Sequence, residues 1–178
     1  GMANTFLLAE GKSIGASLAE PNMVGIAKRI MEVAASNDCK LFLPKDVVVA
    51  VEFKLGAAHR IAEISDVADG EMILDAGPEA IAVASDFLQA CATIVWNGPM
   101  GAFEIPPFDE ATTALAKIVA AETQNNGLMS VAGGGDTMAA LANAGVNDQF
   151  SYVSTAGGAF LEWLEGKRLP GVEALCTG

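Results

Sequence analysis

Three times in its second half this chain runs from an apolar, strand-like stretch into a glycine-rich turn. The stretches are Ile94-Val95-Trp96-Asn97-Gly98-Pro99-Met100-Gly101-Ala102-Phe103-Glu104, Ser130-Val131-Ala132-Gly133-Gly134-Gly135-Asp136-Thr137 and Tyr152-Val153-Ser154-Thr155-Ala156-Gly157-Gly158-Ala159. A helix-like segment follows the second and third turns directly, and the first after a short proline-containing loop. Strand, turn and helix repeated in this way build an open parallel sheet through right-handed crossovers. The turns then gather at the carboxyl ends of the strands, the edge where open α/β sheets bind ligands. Glycine permits close backbone approach and positive φ. A helix start adds unpaired N–H groups and the positive end of a dipole. Such corners side by side make a phosphate receptor built mainly from backbone.

The rest of the chain is consistent with an α/β fold. Residues 2–19 read as a helix interrupted near Gly11. Residues 23–36 read as a helix with Met23, Ile26, Ala27, Ile30, Val33 and Ala34 on one face at 3.6-residue spacing. Val47-Val48-Val49-Ala50-Val51 lacks polar alternation, as a strand covered on both faces does, and such strands belong to parallel sheets. Residues 52–71 read as loop-rich, with weak helical or strand character. Met72-Ile73-Leu74-Asp75 reads as a short strand ended by Ala76-Gly77-Pro78, with Pro78 opening a helix striped by Ile81, Ala84, Leu88 and Cys91. Asp109 is placed to cap a helix over 110–123 that turns Ala111, Leu115, Ile118 and Val119 inward and stops at Asn125-Asn126-Gly127. Strands are expected at 93–96, 129–132 and 151–155. Helices are expected at 136–144, closed by Gly145, and 158–165, closed by Gly166. The tail after Pro170 has no strong signal. The expected fold is one α/β domain, an open parallel sheet with helices on both faces in a Rossmann-like three-layer arrangement.

Composition narrows the function. A chain of 178 residues with 52% apolar and 18% charged residues can bury a substantial core. No apolar run is long enough to span a membrane, and the start lacks the basic flank of a signal peptide. The net charge of −12 disfavours a nucleic-acid or membrane surface. From Asn97 onward the cationic side chains are Lys117, Lys167 and Arg168, none inside a glycine turn. Polyphosphate charge must therefore be met by backbone N–H groups, a divalent metal or cations from elsewhere. Cys39, Cys91 and Cys176 are odd in number and widely spaced, as expected of reduced thiols in a cytoplasmic protein. The single histidine, His59, reads as a surface or helix-face residue, and no zinc pattern is present.

Each motif has a chemical and a plain reading. In Gly133-Gly134-Gly135-Asp136-Thr137 the glycines can wrap phosphate oxygens, Thr137 can add a hydroxyl, and Asp136 can hold a Mg²⁺ that bridges phosphates. The plain reading makes Asp136 an N-cap and the glycines aids to packing. Asn97, Phe103 and Glu104 can supply an amide, an apolar wall and a carboxylate for sugar hydroxyls, or Phe103 can simply anchor a loop. Ser154-Thr155-Ala156-Gly157-Gly158 can bind an anion at a helix start or only turn the chain. Gly77 can admit a flat base or only join strand to helix. Trp96 and Trp163 read as core or helix-packing residues. The P-loop and dinucleotide-binding glycine patterns do not occur after a strand. These residues alone leave a sugar or small-metabolite kinase open.

Taken together, these motifs make the chain resemble phosphoglycerate kinase. The match also includes Gly1-Met2-Ala3-Asn4-Thr5-Phe6, Leu43-Pro44-Lys45-Asp46-Val47-Val48-Val49-Ala50, Asp75-Ala76-Gly77-Pro78 and Leu164-Glu165-Gly166-Lys167-Arg168-Leu169-Pro170-Gly171-Val172. The resemblance implies a two-lobed, monomeric glycolytic enzyme. It moves a phosphoryl group reversibly between 1,3-bisphosphoglycerate and ADP, with Mg²⁺, giving 3-phosphoglycerate and ATP. Residues 1–178 would be a partial carboxyl-terminal, nucleotide-binding domain, with the substrate-binding amino-terminal domain absent. Gly77, Gly98, Ala102 and Phe103 would lie around base and sugar, Glu104 at the ribose hydroxyls and Asn97 near the phosphates. Gly134, Gly135 and Thr137 would hold the phosphate chain, with Asp136 at the metal. Thr155, Gly157 and Gly158 would form the catalytic set facing the transferring group. Ala156 stands where many family members carry glycine. The family's strand order, 3-2-1-4-5-6, would make 47–51 strand 3 and leave a central gap where strands 1 and 2 are missing. The chain by itself would then be a weak nucleotide-binding module without turnover, a self-associating piece, or an inactive structural one.

Overall fold

The computed structural model describes residues 1–154 and 157–176. The chain divides into two compact units, Gly1–Phe87 with Met100–Leu115, and Leu88–Pro99 with Ala116–Gly178. The division passes between Pro99 and Met100, inside the first glycine turn.

The first unit opens with α1 (Met2–Ala9) and α2 (Val24–Ser36). α1 is shorter than its pattern predicts, because the chain leaves the helix at Glu10 and Gly11 takes φ +77°. α2 packs on α1 and buries Ala27 alone, while Ile26, Ile30 and Val33 are exposed. The apolar face of α2 is therefore largely uncovered in this structure. Periodicity shows which face of a helix is apolar, and tertiary contacts decide whether it is covered.

Next come β1 (Asp46–Ala50), β2 (His59–Glu63) and β3 (Met72–Ala76), followed by α3 (Pro78–Gln89). The strand order is β2-β1-β3 and both pairings are antiparallel. This corrects the placement of 47–51 in the parallel sheet. β1 is buried throughout because each face has its own cover. Val47 and Val49 pack with Leu7, Ile14, Ala62, Ile64 and Val67, whereas Val48 and Ala50 pack with Ala57 and Phe108. Double coverage removes polar alternation whatever the strand direction, so the pattern identified the burial and not the pairing. β2 lies in the stretch expected to be loop. It is an edge strand that buries only Ala62 and carries His59, Arg60 and Glu63, so it has little apolar signal. Arg60 donates two hydrogen bonds to Glu71 beside this edge, at 2.8 and 2.6 Å.

The second unit holds the expected parallel sheet. β4 (Thr93–Asn97), β5 (Met129–Gly133) and β6 (Tyr152–Ser154) pair in that order. Between and after them run α4 (Glu110–Asn126), α5 (Gly135–Ala144), α6 (Gly157–Leu164) and α7 (Pro170–Cys176), the last without a clear sequence signal. Gly127 at φ +74° and Gly145 at φ +72° end α4 and α5 as predicted. Val119 and Ala120 of α4, Leu141 of α5, Ala132, Trp96 and Phe150 are all buried. Trp96 meets Phe150 edge-on at 6.2 Å, while Trp163 is exposed and is not a core residue. The buried Ser130 accepts from Thr123 Oγ1 and from the Ser151 N–H, which ties α4 and the start of β6 to β5. No helix among the described residues is long and apolar enough to cross a membrane.

Candidate functional site

Register aligns the ends of the parallel strands. Asn97 of β4 stands beside Gly133 of β5, and Gly133 beside Ser154 of β6. Adjacent strands are ~4.8 Å apart, so the three carboxyl ends form a short row about 10 Å long. Gly98 and Gly134 follow that row directly, and Gly157 opens α6. Thr155 and Ala156, between β6 and α6, lie outside the described residues.

The first two turns are joined to each other. The Gly98 N–H donates to Thr137 Oγ1 at 2.8 Å, and Thr137 is buried at 1% exposure. Gly98 holds φ +95°, and Trp96 Nε1–H donates to its carbonyl at 2.7 Å. Thr137 is thus a structural clamp at the start of α5, a role beyond the phosphate contact its sequence position suggests. Gly134 is the N-cap of α5, at φ +99° and ψ 147°, and no side chain caps the helix there. Asp136 is not the N-cap. It lies in the first turn, exposed, where a carboxylate is favoured by the helix dipole. The N–H groups of the first turn of α5 have no partner within the helix.

The space in front of these turns is open. An added Cβ would meet nothing within 4 Å at Gly98, Gly135 or Gly158. At Gly134 it would come no closer than 3.6 Å, to Thr137 Oγ1, with Asn97 Oδ1 at 3.7 Å. Asn97, Gly135, Asp136 and Gly158 are exposed. Lys167 and Arg168 pair with Glu165 at 2.6 Å and Glu173 at 3.5 Å, so neither is an unpaired cation.

Gly77, Ala102, Phe103 and Glu104 belong to the first unit. Gly77 donates to the Asp46 carbonyl at 2.9 Å, and a Cβ on it would overlap the Asp46 carboxylate. That carboxylate accepts from the N–H groups of Glu79 at 2.9 Å and Ala80 at 2.7 Å, so Asp46 caps α3. Ala102 N–H donates to the Leu74 carbonyl at 2.8 Å. Phe103 is buried and anchors its loop, and Glu104 is exposed. Asp46, Asp75, Gly101 and Thr112 shape these turns, and the sequence reading gave none of them a role of its own. One signal was available: Asp75 is a lone carboxylate ending an apolar strand.

No cluster of three or more His, Cys, Asp or Glu residues suited to a metal occurs among the described residues. Asp136 therefore fits a metal only as one ligand of several, with the others supplied by a bound anion. Mg²⁺ is commonly held in this way, by one or two carboxylates plus substrate phosphates.

The family model for phosphoglycerate kinase matches residues 1–167. The chain is 59% identical over 175 residues to phosphoglycerate kinase of Rhodospirillum centenum, covering 98% of this chain and 44% of that protein. It is 59% identical to the enzyme of Zymomonas mobilis over the same shares. Among solved structures, phosphoglycerate kinase from Coxiella burnetii superposes with TM-score 0.91 at 48% identity, over 96% of this chain and 43% of that one. The enzyme from Pyrococcus horikoshii gives TM-score 0.76 at 26% identity, over 97% and 42%. The chain thus spans less than half the length of these relatives. With the family matched over nearly its whole length and its glycine turns standing at the carboxyl ends of the parallel strands, this chain belongs to the phosphoglycerate kinase family.

Proposed function

We propose that this chain supplies the Mg-ADP/ATP site of a phosphoglycerate kinase. The observation that carries the reading is the row Asn97, Gly133 and Ser154, with open glycine corners just beyond it and an uncapped helix start at Gly134. Gly134, Gly135 and Thr137 hold the phosphate chain through backbone N–H groups, and Asn97 lies beside it. Asp136 contributes one carboxylate to Mg²⁺, which neutralises phosphate charge when bound. Glu104 accepts from the ribose, and Gly77, Gly98, Ala102 and Phe103 shape the surroundings of base and sugar. Thr155, Gly157 and Gly158 face the transferring group.

In the reaction, the P–O bond to the glycerate carboxylate breaks as a new one forms to a terminal oxygen of ADP, releasing 3-phosphoglycerate and ATP. Such a transfer needs in-line positioning and stabilisation of the equatorial oxygens more than covalent help from protein. Preorganised N–H groups at two helix starts suit that task in a chain of net charge −12. By itself the chain binds nucleotide without turnover, a reading favoured by its coverage of 44% of its relatives' length.

Calorimetry tests the reading. The purified chain should bind Mg-ADP, and Asp136→Ala should weaken Mg-ADP while leaving metal-free ADP nearly unchanged. Equal loss with and without Mg²⁺ would remove the metal role, and absence of any ADP binding would remove the site.

A further inference from the structure

Asp75 is the penultimate residue of β3 and is 2% exposed, yet the proposed chemistry gives it no role. Its carboxylate is surrounded by loop and helix starts of the same unit. Oδ2 accepts from the Ala111 N–H of α4 at 2.9 Å, and Oδ1 accepts from the Ala76 N–H at 2.9 Å. Gly101 lies directly over Oδ1, where a Cβ would overlap the carboxylate. Ala102 N–H is held by the Leu74 carbonyl at 2.8 Å, one residue before Asp75. Thr112, one residue after Ala111, accepts from the Met100 N–H at 3.0 Å through Oγ1. The segment 100–102 is thus held by Thr112 and Leu74, and Asp75 fixes the start of α4 that carries Thr112 while packing directly against Gly101. Phe103 and Glu104 follow immediately.

We propose that Asp75 is a positioning residue: its carboxylate fixes the backbone of residues 100–102 and so sets where Glu104 meets the sugar of a nucleoside diphosphate. The inference rests on the nucleotide reading above, and its geometric half stands independently of it. A carboxylate suits the task because it accepts two N–H groups at once and donates none. A neutral amide would turn an NH₂ toward one of those two donors. Burial of the carboxyl pushes its pKa up to about 7, which the two N–H bonds only partly offset. The charged groups facing it are Asp109 and Glu110 at the start of α4, both acidic, and its cross-strand neighbour on β1, Val48, is uncharged. Asp75 is thus ionised at pH 8 and largely protonated at pH 6, so the contact with Gly101 is made by a carboxylate at the first pH and by a carboxyl at the second.

The test compares wild type, Asp75→Asn and Asp75→Ala by amide hydrogen exchange without nucleotide and by ADP titration, each at pH 8 and pH 6. The Met100 and Ala102 amides should exchange at least tenfold faster in Asp75→Ala at pH 8, and ADP should bind at least tenfold more weakly. Asp75→Asn, which keeps the shape and is expected to fold, should lie between the two and lose the pH dependence that wild type shows. Unchanged exchange at these amides in both variants overturns the inference, as does faster exchange with unchanged ADP affinity. A wild type that binds no ADP overturns the nucleotide reading and the sugar half of the inference, while the exchange arm still decides whether Asp75 holds the loop.

Discussion

In the first unit Gly77 and Gly101 lie against buried carboxylates; in the second Gly98, Gly135 and Gly158 face open space. Gly77 and Gly101 leave room for Asp46 and Asp75, which cap α3 and α4. Gly98 and Gly134 instead hold positive φ, and Gly135 and Gly158 hold ordinary φ with nothing in front of them. The same residue type therefore answers two different demands. At Gly77 and Gly101 glycine is required by the protein's own packing. Gly135 and Gly158 meet no such internal contact, and the proposed nucleotide site gives them a use.

Four measurements break or sharpen this contrast. The largest effect concerns the first unit's buried charge. Asp75 is raised from 3.8 to about 7, so between those values the folded state keeps a proton that the unfolded chain has lost. Stability therefore falls as pH rises through that window, by on the order of 4 kcal/mol in total, and is flat above it. Urea unfolding at a series of pH values should show this fall, and Asp75→Asn should abolish its share of it. Next is Gly101→Ala, whose methyl would strike both the Asp75 carboxylate and the Leu74 carbonyl. It should cost about 1–3 kcal/mol, the range typical of overpacking, by the same unfolding assay. Gly134→Ala meets only contacts of 3.6 Å or more but forces φ +99° on an L-residue, for a loss of about 1–2 kcal/mol. The smallest is Gly158→Ala, in the first turn of α6 at a normal φ with no neighbour in reach. It should stabilise by roughly 0.5 kcal/mol or leave thermal unfolding unchanged.

What the sequence disclosed follows the same division. The second unit was legible because strand, glycine turn and helix recur there, and each signal is local. Its strand and helix bounds fall within a few residues of the pattern, and register then aligns Asn97, Gly133 and Ser154 without further information. In the first unit the decisive interactions are long-range. Val47 to Ala50 revealed burial but not the antiparallel partners, because coverage by Leu7 and Val67 on one side and Phe108 on the other comes from distant segments. β2 was missed because His59, Arg60, Ile61 and Glu63 are exposed and only Ala62 is buried. Asp46 and Asp75 act on residues 33 to 36 positions away, so no local motif contains either pair. The candidate site divides likewise. Gly134 and Asp136 were readable from their position at a helix start, whereas the clamp from Gly98 to Thr137 spans 39 residues.

Gly135 offers the most direct test, since it lies in the first turn of α5, exposed, with nothing within 4 Å of where a methyl would sit. Mg-ADP affinity and unfolding free energy should be measured side by side for Gly135→Ala and wild type. A ligand-facing glycine edge predicts unchanged or slightly higher stability together with at least tenfold weaker Mg-ADP binding. Wild-type affinity in a normally folded Gly135→Ala would contradict it.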